Sequence, residues 1–162
     1  MNKIKFQICP ATIDDVPAIF SLIKALAEYE KLSHQVTGNE TSLRKHLFGE
    51  SPYAEAILAE TEDRVVGFAL FFANYSTFLT KPGIYLEDLF VLPDYRRQGM
   101  GTAMLRYLGN LAKTRDAGRL EWSVLDWNQS AIDFYQKIGA TVLPDWKICR
   151  VKEESFQNLV QK

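Results

Sequence analysis

The chain has 162 residues, 47% of them hydrophobic, and its 19 basic and 20 acidic side chains leave a net charge of −1. That length suits one domain, residues 1–162, with a core of its own, and the balanced charge argues against a nucleic-acid or anionic-membrane partner. No run approaches 18 apolar residues and "MNKIKFQICPATIDD" lacks a long apolar segment, which argues against membrane spanning and secretion and for a cytoplasmic protein.

In chain order, "IKFQIC" alternates with period two and predicts a first strand. Thr12 and Asp15 resemble a capping box, after which Val16, Ile19, Phe20, Ile23, Leu26 and Ala27 recur at helical spacing to about Glu30. A short helix is expected from near Thr41 to Gly49. "AEAILAET" and "VVGFALFFAN", around a turn at Glu62–Asp63, predict an antiparallel hairpin. "GIYLEDLFVL" predicts a strand broken by Pro93, followed by a helix from about Gly99 to Thr114 and the strand "LEWSVLD". Strand, helix and strand make a βαβ unit with parallel neighbours. A helix from Gln129 to Ile138 ends at Gly139, and "WKICRV", with "ATVL", is expected to close the sheet. Cys9 and Cys149 lack CxxC spacing and are expected to be buried, reduced thiols. The fold class is α/β, with a mixed, mainly antiparallel sheet flanked by helices.

The stretch "DYRRQGMGTAML" sets Arg96 and Arg97 beside Gly99 and Gly101 at the start of a helix. Such a start exposes N–H groups and carries about half a positive charge, so it can cradle a phosphate. The third glycine of a dinucleotide fingerprint and the lysine of a Walker A loop are both missing. On spacing alone, a plain strand-to-helix turn remains the alternative.

Arg96-Arg97-Gln98-Gly99-Met100-Gly101 resembles the R/Q-x-x-G-x-G/A signature of GNAT acetyltransferases. "YLEDLFVLPDYRRQGMG", "VLDWNQSAIDFYQKIGA" and "LAEYEKLSHQV" are similar to its diamine/polyamine and thialysine-acetylating branch, in matching order over nearly the whole chain. The resemblance implies a parallel βαβ unit at an acetyl-CoA site. It places the pyrophosphate on Arg96, Arg97, Gln98, Gly99, Met100, Gly101 and Thr102. It also implies that Leu89, Phe90 and Val91 pair with the pantetheine through their backbone, with Asn128 hydrogen-bonding the same arm. Without the family, Asn128 is an N-cap or the neighbour of one at Ser130.

Acetylating a lysine-like amine of pKa about 10.4 requires removing a proton that nearly every molecule carries at pH 7. "YLEDL" supplies Glu87 and Asp88, which on an alternating strand point to opposite faces. The resemblance assigns Glu87 the base role, through water, and Tyr135 the protonation of the departing sulfur. On periodicity alone, Tyr135 joins Ala131, Phe134 and Ile138 as a core face. Tyr29 and Glu30 match residues of the branch's amine site, with Glu87 and Asp88 as further acceptor ligands. Phe78, where relatives often carry tryptophan, and a short loop from Ala140 to Trp146 depart from the branch near the acceptor entrance. His34 and His46 have no ligand spacing, so no metal is expected. The leading expectation is an acetyl-CoA-dependent N-acetyltransferase of small diamines, polyamines or lysine-like amines, and the branch implies a homodimer. A transferase for protein or xenobiotic amines and a non-catalytic CoA-binding sensor are the rivals.

Overall fold

A computed structural model describes residues 4–160. Its elements are β1 (Gln7–Pro10), α1 (Val16–Tyr29), α2 (Glu40–Phe48), β2 (Glu55–Glu60), β3 (Val65–Ser76), β4 (Lys81–Val91), α3 (Met100–Thr114), β5 (Leu120–Trp122), α4 (Gln129–Lys137) and α5 (Gln157–Val160). The chain divides after Ser123 into two units. Among the described residues no helix is long and apolar enough to cross a membrane.

The first unit is built on one sheet in the order β1-β2-β3-β4-β5, antiparallel from β1 to β4, with β5 joining β4 in parallel. Parallel neighbours need a crossover, and α3 is that crossover. Ahead of α1, the Asp15 carboxylate accepts from both the backbone N–H and the hydroxyl of Thr12, each at 2.7 Å. The Asn39 side chain accepts from the Ser42 N–H at 2.9 Å and starts α2.

Ile19, Leu22 and Leu47 from α1 and α2 pack on Ala56, Leu58, Phe68 and Phe90 of the sheet. The alternate sheet residues Ile57, Ala69, Phe71 and Leu86 are buried as well, and α3 packs on the sheet with Met100, Met104, Leu105 and Leu108 buried. Cover on both faces explains why β2 and β3 read as continuous apolar runs. Each large apolar side chain so buried contributes about 1.5–3 kcal/mol. Phe68 and Phe71 are thus core, while Tyr75, Phe78 and Leu79 remain exposed around the β3–β4 turn, Phe78 at 97%. Cys9 lies half-buried in β1 opposite Leu58. The last strand is shorter than "LEWSVLD", because only Leu120–Trp122 finds ladder partners.

In the second unit, the Asn128 side chain accepts from the Ala131 N–H at 3.3 Å and caps α4. Gly139 follows the helix at φ 96°, a left-handed conformation that glycine adopts without strain. The expected strands at "WKICRV" and "ATVL" do not form: residues 140–152 carry no ladder, and Trp146, Ile148 and Cys149 are exposed. Alternation gives a segment an apolar face, but a strand also needs a partner edge for its N–H and C=O groups. The expectation of two buried thiols therefore fails at Cys149.

Candidate active site

The loop from β4 into α3 turns through two left-handed residues, Arg97 at φ 61° and Gly99 at φ 92°. Only the glycine adopts that conformation freely. The first helical bond of α3 runs from the Ala103 N–H to the Gly99 carbonyl at 2.9 Å. The N–H groups of Met100, Gly101 and Thr102 therefore precede the ladder, and no side chain caps them. A Cβ built on Gly99 would meet nothing within 4 Å, so open space lies beside the turn. Fifteen residues of aligned dipoles behind it and the exposed Arg97 beside it suit a pyrophosphate.

β4 changes character at Glu87. Leu70 pairs with Asp88 but the next residue, Phe71, pairs with Leu86, so Glu87 is the extra residue of a β-bulge. Because Leu70 and Phe71 face opposite sides, Leu86 and Asp88 do too, although they stand two apart. The strict alternation expected through "YLEDL" does not hold. The parallel ladder to β5 stops at Leu86–Trp122, while Leu89, Phe90 and Val91 stay paired with β3 on their other side. Past the bulge, β4 thus offers an edge that β5 does not reach, as pairing with a pantetheine arm requires.

Three carboxylates belong to this region. Asp88, half-buried, is pushed up from its ordinary 3.8 to about 6, first by burial and then by the charges of Glu87 and Glu30. Ionising it costs on the order of 3 kcal/mol more than in water. Glu30, at the end of α1, is pushed up by burial. Glu87 is exposed. The sequence offers both Glu87 and Asp88 as proton acceptors and the resemblance favours Glu87; the raised pKa of Asp88, caused first by burial, is what the sequence does not announce.

Tyr29 and Arg96 meet above the end of β4. The Arg96 Nε–H donates to the Val91 carbonyl at 2.8 Å, and its guanidinium lies 4.3 Å from the Tyr29 ring centre and 5.4 Å from that of Phe90. The two rings are 6.4 Å apart, tilted by 52°. Each such cation–π contact contributes about 0.5–2 kcal/mol. Tyr29, Glu30, Glu87, Asp88, Phe90 and Arg96 are therefore brought together from three segments. No local pattern announces the Arg96 contact, because its partner lies 67 residues earlier in the chain.

Asn128 and Tyr135 belong to the second unit. Asn128 is the cap of α4, and Tyr135 is half-buried with its ring 5.3 Å from that of Phe134. Among the described residues no three His, Cys, Asp or Glu side chains are grouped as for a metal ion.

Residues 21–140 match the model of the acetyltransferase (GNAT) family. The thialysine N-epsilon-acetyltransferase of Bos taurus is 38% identical over 159 residues, covering 91% of this chain and 93% of that protein. An L-ornithine N5-acetyltransferase of Arabidopsis thaliana is 32% identical over 192 residues, covering 91% and 84%. An integron cassette protein from V. cholerae has the same fold, with a TM-score of 0.79 over 97% of this chain and 98% of its own, at 23% identity.

Proposed function

The chain belongs to the GNAT acetyltransferase family, and on that premise we propose that it moves an acetyl group from acetyl-CoA to the primary amine of a small cationic acceptor. The observation that carries the proposal is the open half of β4, which bears Glu87 and Asp88 at its bulge and leads directly into the glycine turn. The activities named for the bovine and Arabidopsis relatives favour a thialysine-, lysine- or ornithine-like acceptor, or a short diamine, over long polyamines. Residues 1–162 act in this proposal as one cytoplasmic acetyltransferase domain, paired with a second copy.

Acetyl-CoA supplies, when bound, an acetyl group already activated as a thioester. The turn from Arg97 to Thr102 holds its pyrophosphate, while Leu89, Phe90 and Val91 bond its pantetheine arm along the open edge and Asn128 adds a side-chain contact. The remaining work concerns protons. At pH 7 only about one lysine-like amine in 10³ is unprotonated. Tyr29, Glu30 and Asp88 hold the cation, and Glu87 takes its proton directly or through water. The Tyr135 hydroxyl gives a proton to the departing sulfur. A second arrangement has Asp88 as the acceptor, favoured by its pKa of about 6, which lies nearer the working pH than an ordinary carboxylate's.

The test is release of free CoA from acetyl-CoA with thialysine, lysine, ornithine, putrescine, spermidine, an aminoglycoside and a basic peptide offered in parallel. Turnover with the small amines is the expected result. Turnover only with the peptide or the aminoglycoside would transfer the chain to one rival class. CoA binding without turnover on any amine would make it a sensor.

A further inference from the structure

We propose that the Arg96 side chain is a positioning residue that locks the end of α1 carrying Tyr29 to the end of β4, so that the loop bearing the glycine turn also sets the acceptor side of the site. The assignment of the two sides to acceptor and cofactor rests on the function proposed above. The contact itself does not.

The path of the chain explains how one arginine reaches both. After β4 the backbone folds through a single 3₁₀ turn, Pro93–Tyr95, closed by the Tyr95 N–H to the Leu92 carbonyl at 2.9 Å and the Arg96 N–H to the Pro93 carbonyl at 3.2 Å. That reversal sends the guanidinium back over the strand it has just left. There Nε–H donates to the Val91 carbonyl, while the cation stands over Tyr29 of α1 and Phe90 of β4. A planar, delocalised cation can donate from its edge and stack with its face at once; an ammonium keeps the charge and loses the plane.

The neighbouring arginine differs. Arg97 is exposed, with left-handed backbone at the mouth of the turn, whereas Arg96 is half-buried over the Tyr29 and Phe90 rings. Two adjacent arginines of one signature thus divide the labour, Arg97 facing the anion and Arg96 bracing Tyr29. Loosening Arg96 should release the Tyr29 ring and weaken acceptor binding, leaving the amides at the start of α3 where they are.

Five variants test this: Arg96→Gln, Arg96→Lys, Arg97→Gln, Tyr29→Leu and Tyr29→Phe. Arg96→Gln is expected to raise the KM of the amine about tenfold or more while the Kd of CoA, measured by calorimetry, stays within about threefold. Arg97→Gln should do the reverse. Arg96→Lys should fail to rescue the amine KM, although a purely electrostatic hold on phosphate would tolerate it, and it serves as the milder variant if Arg96→Gln folds poorly. In the protein without ligands, the Tm loss of Arg96→Gln combined with Tyr29→Leu should be smaller than the two single losses together, whereas Arg96→Gln combined with Tyr29→Phe, which keeps the ring, should be nearly additive. Weakened CoA binding with an unchanged amine KM in Arg96→Gln, or additive Tm losses with Tyr29→Leu, would overturn the proposal. If no amine is turned over by the unaltered protein, it is the proposed function that fails, and calorimetry and the Tm cycle still decide on Arg96.

Discussion

The first half of β4 is laddered to β3 on one side and β5 on the other, and its Ile84 and Leu86 are 1% exposed. The second half, from Glu87 to Val91, keeps β3, lies beyond the end of β5, and begins with two carboxylates. One extra residue separates them. The bulge ends strict alternation, carries Asp88 to the face shared with Leu70, against which α1 packs, and leaves the charges of Glu87 and Glu30 acting on it. A single strand can thus be core for half its length and candidate site for the rest.

The largest expected effect belongs to the second half. Glu87→Gln should lower kcat/KM by about 10²–10⁴-fold at low pH, recovering as pH rises and the amine deprotonates unaided. Folding should be untouched, since Glu87 is exposed. An equal loss at every pH would give Glu87 a binding role instead.

Leu86→Ala probes the first half. Removing this buried side chain should cost about 2–5 kcal/mol in urea unfolding, with the KM of both substrates near that of the unaltered protein. A specific rise in either KM would erase the distinction between the halves.

Asp88→Asn should have a smaller effect, of opposite sign. The folded pKa of about 6 lies above the ordinary 3.8, so folding favours the protonated acid. That contribution is complete below about pH 4 and lost as pH rises through 6. Replacing the acid with a neutral amide should therefore raise stability at pH 8, by at most on the order of 3 kcal/mol, and change nothing at pH 4. A Tm series from pH 4 to 8 would settle it, and an equal shift throughout would mean that the charge is not the cause.

Gly99→Val should cost the fold only about 1–2 kcal/mol, from left-handed backbone strain, because open space receives its Cβ. CoA affinity should fall about tenfold or more. Unchanged affinity in calorimetry would remove the turn from phosphate binding.

Much of the fold was legible because its signals are local. The apolar runs of β2 and β3, Pro93 after β4, and Gly99 before α3 each speak through near neighbours. Asn128 reads as a cap or as the neighbour of one at Ser130, and it is the cap. The bulge was not legible, since it is a property of two strands in register and "YLEDL" alone reads as ordinary alternation. The absent strand at "WKICRV" shows the converse: pattern supplies a face but no partner. Within the candidate site, the residue types were readable from the matched motifs. The raised pKa of Asp88 and the seat of Arg96 were not, because both depend on what α1 brings from far away in the chain.

Cys9, opposite Leu58 in β1, bears on how turnover can be followed. Burial, then a hydrogen bond and charge from Glu60, then the charge of Asp15, push its thiol up to about 11. At pH 7 roughly one molecule in 10⁴ presents the thiolate, the form that attacks disulfide reagents. Cys149 is exposed. A chromogenic disulfide added to detect newly freed CoA should therefore react promptly with one protein thiol per chain, and the second should appear only as a slow drift.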